Sequence, residues 1–315
     1  MLRKALIIWL FVCFAACQEK DTPILLQSEK LIAGFSSGSG MTFFENRIYA
    51  VGDDDPYLWI LDGKGSLLDT ILIVDSPYVV DGRIKKSKKP DLEAMAIIQA
   101  PDGEKLLLFP SGSDLAKRVT AYVFDAKSKE IQALNVLPLF QAMLQMLDNE
   151  QTINIEGLAS DQEHLFFFNR DNNSVFRMKQ SNFTNYFLQQ NNEPLNLELF
   201  SYNLPKLQGQ TATFSSAEKI PNTEFLIFSA STEATENWID DGEIGPSFIG
   251  LLNLRNMEIS FCHPVTTPEG SNYIGKIEGI IGHYDENGKF SITAITDNDD
   301  GITLFLQLST RVKLY

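Results

Sequence analysis

Three glutamates stand at matching places in this chain. Glu93-Ala94-Met95, Glu156-Gly157-Leu158 and Glu278-Gly279-Ile280 each set a carboxylate before a small residue and an apolar run. About ten residues on, a second apolar run stops on polar residues: Ser111 and Ser113, then Asn169-Arg170-Asp171, then Asp297-Asn298-Asp299-Asp300. Two further stretches share the frame without the glutamate. Ser39-Gly40-Met41 leads to Asp53-Asp54-Asp55, and Thr213-Phe214 leads to Ser231-Thr232-Glu233. Carboxylates that converge repel one another unless a metal, protons or basic groups intervene. Glu93, Glu156 and Glu278, with the Asn154 carbonyl, therefore read as oxygen ligands for a hard divalent cation, Ca2+ first. The alternative is structural, each glutamate accepting backbone N–H groups of the next unit.

The polar stops add candidates for ligand binding: Asp53, Asp55, Arg170, Asp297 and Asp299. Turns favour Asp, Asn, Ser and Gly anyway, so Arg170 is the least turn-like of these and suits an anion. Arg83 to Asp91 is a basic island running straight into Glu93, and Lys89 and Asp91 join the candidates. It reads either as an anion clamp or as a solvated loop. Other motifs drop out. Asp297 to Gly301 opens like an EF-hand loop, but Leu308 stands where its bidentate glutamate belongs. Gly34-Phe35-Ser36-Ser37-Gly38 spells a nucleophile elbow without the strand–turn–helix that such a motif needs. His164, His263 and His283 have no partner at metal-ligand spacing. No catalytic residue is assignable.

A repeat of about 55 to 60 residues made of short apolar runs implies stacked or radial β units. The second unit offers strands at Leu92–Ile98, Lys105–Phe109, Val119–Phe124 and Ile131–Leu137. The fourth offers Ala212–Ala217, Glu224–Phe228, Ser247–Leu252 and Ile259–Cys262. Turn signals separate them, among them Asp102-Gly103, Pro221-Asn222 and Glu286-Asn287-Gly288. The expected fold is all-β: a single β-propeller over residues 24–315, with five or six four-stranded blades. Only Val312–Tyr315 remains for a last strand, so Ile24–Phe35 is expected to close the ring with the final unit. An open solenoid is the alternative. Asn182–Gly209 is long and polar, with room for an irregular sixth blade. Leu137–Leu147 has helical spacing, and Thr235–Pro246 reads as an acidic rim loop.

The chain opens with Arg3 and Lys4, an apolar run from Ala5 to Ala16, and Cys17 behind two alanines. The run is too short to span a bilayer. Residues 1–17 read as a lipoprotein signal with Cys17 as the lipidated residue, and 18–23 as a tether; a plain signal peptide or a short uncleaved anchor is the alternative. That places the protein in a bacterial cell envelope, periplasmic or surface-exposed, attached to the lipid bilayer. Of the three cysteines, Cys13 leaves with the signal, so Cys262 has no intramolecular partner. The processed chain carries 24 basic and 41 acidic residues, net −17. Such a body repels nucleic acid. A monomer is expected.

Lys89-Pro90-Asp91-Leu92-Glu93-Ala94-Met95, Asn154-Ile155-Glu156-Gly157, Lys276-Ile277-Glu278-Gly279, Gly52 to Tyr57 and Asn169-Arg170-Asp171 resemble motifs of an uncharacterised family of secreted bacterial β-propeller lipoproteins. More distantly, the chain is similar to esterase-like phytase-associated propellers and to calcium-dependent lactonase propellers. The second resemblance implies one divalent cation held by channel carboxylates and amides, here Glu93, Glu156, Glu278 and Asn154, activating water or a carbonyl. The resulting expectation is a propeller that binds a small anionic ester or sugar-type ligand, with metal-dependent hydrolysis of esterase, phosphoesterase or lactonase type as a further step. A non-enzymatic propeller holding an envelope protein or a glycan is the competing expectation.

Overall fold

A computed structural model describes residues 23–148, 151–191, 193–207, 209–234, 243–284 and 290–312. The lipobox and most of the tether lie outside them, as do residues 235–242 of the acidic stretch, the Glu286-Asn287-Gly288 turn and residues 313–315.

The apolar runs pair with their sequence neighbours, as short strands joined by tight turns do. β2 (Gly38–Phe44), β3 (Arg47–Gly52), β4 (Tyr57–Leu61) and β5 (Leu67–Leu72) form one antiparallel sheet in chain order. A two-residue ribbon of β6 (Val79–Val80) and β7 (Arg83–Ile84) follows. It turns at Asp81 and Gly82, whose φ values are 51° and 83°. The second sheet holds β8 (Leu92–Ala100), β9 (Gly103–Pro110), β10 (Thr120–Phe124) and β11 (Ile131–Asn135). The third holds β12 (Ile155–Ser160), β13 (His164–Asn169), β14 (Ser174–Lys179) and β15 (Glu198–Ser201).

After a second small ribbon of β16 (Lys206–Leu207) and β17 (Gln210–Thr211), the remaining strands form one eight-stranded sheet. One half is β18 (Thr213–Lys219), β19 (Phe225–Ala234), β20 (Glu243–Asn253) and β21 (Glu258–Thr266). The other is β22 (Ile277–Tyr284), β23 (Phe290–Thr296), β24 (Leu304–Thr310) and β1 (Ile24–Leu31). β1 joins β24 antiparallel from Leu25↔Ser309 to Leu31↔Leu304, and touches β21 in parallel only at Ile24↔Val265 and Leu25↔Thr266. The segment at Ile24–Phe35 thus meets the final unit as expected and takes the fourth-strand place.

The first strand of each set packs against the next in a cycle: β2 on β8, β8 on β12, β12 on β18, β18 on β22, and β22 back on β2. The fold is all-β and propeller-like. Aromatic layers fill the wedges between sheets. Phe109 meets Phe167 at 5.0 Å between ring centres, and Phe168 meets Phe214 edge-on at 5.0 Å. All four are at most 1% exposed, so their burial supplies much of the driving force that closes sheet on sheet. The helix expected at Leu137–Leu147 is α1 (Leu137–Leu144), begun by Pro138 and burying Leu139, Phe140 and Met143. Asn182–Gly209 runs from α2 (Gln180–Phe183) through a π-helical turn to β15, so part of it completes the third sheet. No helix among the described residues is long and apolar enough to cross a membrane.

Candidate functional site

The repeated phrase has a backbone cause. All five first strands carry a β-bulge near their start, and the bulged residues are Ser39, Glu93, Glu156, Ser215 and Glu278. A bulge leaves one residue out of the ladder and re-aims its side chain; here the three glutamates face a common cavity. Sequence spacing pointed to Thr213 in the fourth unit, but the bulge puts Ser215 in the equivalent place. The small residue that follows is set by crowding. A Cβ on Gly157 would lie 2.9 Å from the Ala217 nitrogen, and one on Gly40 would lie 3.0 Å from the Ala94 Cα. The neighbouring first strands leave no space there.

The cavity, about 680 Å³, is walled by charge. Asp53, Asp54, Asp91, Glu93, Glu156, Glu278, Asp297 and Asp299 line it, with Arg83, Lys85, Lys86, Lys89, Arg118 and Lys276. Most of these charges are paired. Lys89 bridges Asp53 and Asp91, lying 2.7 Å from Asp91 Oδ1. Arg118 Nη1 lies 2.9 Å from Asp91 Oδ2 and donates to Ser113 Oγ at 2.6 Å. Asp91 also accepts from the hydroxyls of Ser111 and Ser113. Arg83 binds Asp54 at 2.7 Å and so pins the β6–β7 ribbon over the opening, where Ile84 N–H also donates to the Asp54 carbonyl at 2.7 Å. Lys276 sits 2.6 Å from Glu278 and 3.7 Å from Glu233. Arg170 reaches Glu233 and Glu156, and Asn154 Nδ2 donates to Glu156 Oε1 at 2.8 Å.

Glu93 stands apart. It is 8% exposed, and no described residue donates a hydrogen bond to it or lies within ion-pair distance. Its nearest acidic neighbours are Asp53 and Asp91, one oxygen of each lying within 4.8 Å of a Glu93 oxygen and of one another, with the Lys89 ammonium that pairs those aspartates close enough to act on its charge. Asp53 Oδ1 and Asp91 Oδ1 are buried and accept no hydrogen bond, the Lys89 contact to the latter being an ion pair off the hydrogen-bond direction.

Proton affinities follow from this geometry. Burial, then the nearby Glu156, Asp91 and Asp53 charges, push Glu93 well above the usual carboxylate range. Burial also raises Glu278 and Glu156, opposed by Lys276 and by Arg170 respectively. Asp297 rises to about 7 through burial and the Asp53 charge. Burial works against the Lys89 charge, but Asp53, Asp91 and Glu93 outweigh it and hold the ammonium protonated. At the far end of the first strands, Thr42 Oγ1 donates to the buried Glu218 at 2.7 Å. This bond ties β2 to β18, which are not neighbours in the cycle.

The expected metal set divides. Glu93, Glu156, Glu278 and Asn154 share the cavity wall, but Glu156 and Glu278 are engaged by Arg170 and Lys276. The close carboxylate trio is Glu93 with Asp53 and Asp91. Of the expected ligand-binding residues, Lys89, Asp91, Asp53, Asp297 and Asp299 line the cavity. Arg170 lies behind the lining as the partner of Glu156 and Glu233. Asp55 is buried away from the lining and accepts from the Tyr57 N–H at 2.8 Å; burial lifts it to about 6. Sequence reasoning missed Arg118. It sits in the β9–β10 loop, five residues past Ser113, and only the fold brings it onto Asp91.

Fold and site together define a class: an all-β, propeller-like protein with a buried, charge-dense cavity where its first strands begin. Residues 34–309 match the model of a family of unknown function, DUF6929, and the chain belongs to that family. No curated protein matches it. Among solved structures it is similar to a tail fibre of a Staphylococcus aureus phage, at 12% identity and a TM-score of 0.48. That match covers 91% of this chain and 53% of the fibre, so the chain spans about half of the fibre's length. It is also similar to the glutaminyl cyclase of Myxococcus xanthus, at 9% identity and a TM-score of 0.47, covering 92% and 99% of the two chains. A calcium-binding regucalcin from Agrobacterium tumefaciens matches at 8% identity and a TM-score of 0.42, covering 94% and 98%.

Proposed function

We propose that this is a lipid-anchored envelope protein with one five-bladed propeller closed by its termini. Its cavity would hold a divalent cation, Ca2+, and through it bind a small anionic ester or sugar-type ligand. Five four-stranded sets whose first strands pack in a cycle support the blade count. The anchor rests on the apolar run that ends at Cys17. One observation carries the cation: three carboxylates have oxygens within 4.8 Å of one another, Lys89 pairs with Asp53 and Asp91 but not with Glu93, and a buried oxygen of Asp53 accepts no hydrogen bond. Hard oxygen donors of this kind suit Ca2+, and Asp53, Asp91 and Glu93 would supply them.

A cation bound there would polarise an ester or phosphoryl oxygen and lower the pKa of its water, the chemistry a hydrolase would need. Binding is nonetheless the better-supported role. Among the described residues no histidine lines the cavity, and the Ser111 and Ser113 hydroxyls are spent on Asp91. The second reading is a scaffold propeller for an envelope protein or glycan, favoured by the Lys276–Glu278 and Arg170–Glu156 pairs that neutralise two of the three glutamates.

Thermal melts of wild type and Glu93→Gln, each with Ca2+ or with chelator, test the cation. At a hundred times the dissociation constant, Ca2+ should stabilise the wild type by about 2.7 kcal/mol, with little effect on Glu93→Gln. Four superimposable melts would leave the scaffold reading.

A further inference from the structure

Arg118 differs from an ordinary surface arginine in how it is held. Its Nη1 is fixed between Ser113 Oγ at 2.6 Å and Asp91 Oδ2 at 2.9 Å, and the side chain is 24% exposed. Nε and Nη2 donate to no described residue. The group lines the same cavity as Glu93. A guanidinium pinned at one nitrogen therefore offers its remaining donors in a set orientation, and this fork matches the two oxygens of a carboxylate or phosphate. Its anchor, Asp91, belongs to the same trio as Glu93, so the guanidinium and the proposed cation position share one carboxylate. Lys85, Lys86 and Asp299 are exposed residues of the same lining.

We propose that Arg118 anchors an oxyanion subsite beside the cation, so that the ligand carries a carboxylate or phosphate bridging the two. This rests on the cation reading and makes it more specific: the anion and Ca2+ should bind cooperatively. Each reduces the charge repulsion that the other meets, Ca2+ against Arg118 and Lys89, the anion against Glu93.

Calorimetric titration of the full chain with methyl phosphate and with acetate, with and without Ca2+, provides the test. Wild type should bind at least one of these anions tenfold or more tightly when Ca2+ is present. Whichever binds more tightly identifies the ligand's anionic group. Arg118→Met should lose that anion tenfold or more while its Ca2+ affinity is unchanged or increased, because a repelling charge has gone. Ser113→Ala, which frees the guanidinium but keeps its charge, should give an intermediate loss and serves if Arg118→Met does not fold. Anion binding equal in wild type and both variants, or absent from the Ca2+-loaded wild type, overturns the subsite. Anion binding that needs Arg118 but not Ca2+ would keep the subsite and overturn the cation reading.

Discussion

Glu218 gives the sharpest test of how the first strands are held together. Its carboxyl is buried, takes one hydrogen bond from Thr42, and is only partly relieved by Lys219; burial lifts its pKa from 4.5 to about 8. A carboxyl that holds its proton more tightly when folded contributes stability that is complete below pH 4.5. That stability is lost as pH rises towards 8, because the unfolded chain ionises first. At 1.36 kcal/mol per pH unit the loss is about 5 kcal/mol. For a domain of this size that is of order 8 °C in Tm. Glu218→Gln keeps an acceptor for Thr42 and cannot ionise. Its melting temperature should match wild type near pH 5 and exceed it by several degrees at pH 9. Other raised carboxyls, Glu93, Glu278 and Asp297 among them, titrate in both proteins and cancel in the difference. Parallel Tm–pH curves from pH 5 to 9 would refute the argument and mean that water reaches Glu218.

Two further outcomes follow from the same geometry. Lys89→Met should destabilise the apo protein by about 3 kcal/mol, since breaking a buried ion pair strands its partner charges; calorimetry should show Ca2+ binding at least tenfold tighter, with the lost stability restored. If lipid on Cys17 is the anchor, as proposed, Cys17→Ser should move the protein from the membrane fraction to the free fraction on cell fractionation; unchanged membrane association would overturn the lipoprotein proposal.

Much of the fold was legible because most strands of each four-stranded set are adjacent in sequence. Leu92–Ile98 and Lys105–Phe109 are apolar runs bounded by turn signals, and the observed β8 and β9 differ from them by two residues or fewer at each end. Partners adjacent in sequence need no long-range information. The fourth unit was read less well: its bulge at Ser215 shifts the frame by two residues, and a bulge leaves no mark in periodicity. The site was legible as a set of positions but not as pairings. Glu93, Glu156 and Glu278 share a phrase, yet one faces carboxylates, one an arginine from its own sheet's β13–β14 turn, and one the lysine two residues before it. Arg118 reaches the cavity from the β9–β10 loop and Arg83 from the β6–β7 ribbon, and only the tertiary fold sets the course of either segment.

The five bulges also serve as an internal control on whether the glutamates belong to the fold or to a function. Ser39 and Ser215 occupy the same bulged place and are satisfied by backbone carbonyls, Ser39 by Ser37 at 3.3 Å and Ser215 by Ile277 at 2.7 Å. A short hydroxyl therefore completes the start of a first strand without introducing charge. A purely structural role would have the glutamates accept backbone N–H groups of the next blade. Their hydrogen-bond and ion-pair partners are instead the side chains of Asn154, Arg170 and Lys276, and Glu93 has none. Burying such charges costs several kcal/mol each before pairing, and a paired set rarely stabilises a fold more than apolar residues of the same size would. Where serine suffices twice and glutamate is kept three times around one cavity, stability does not account for the choice. Charge density in the cavity does, which is why the cation and oxyanion experiments address these residues.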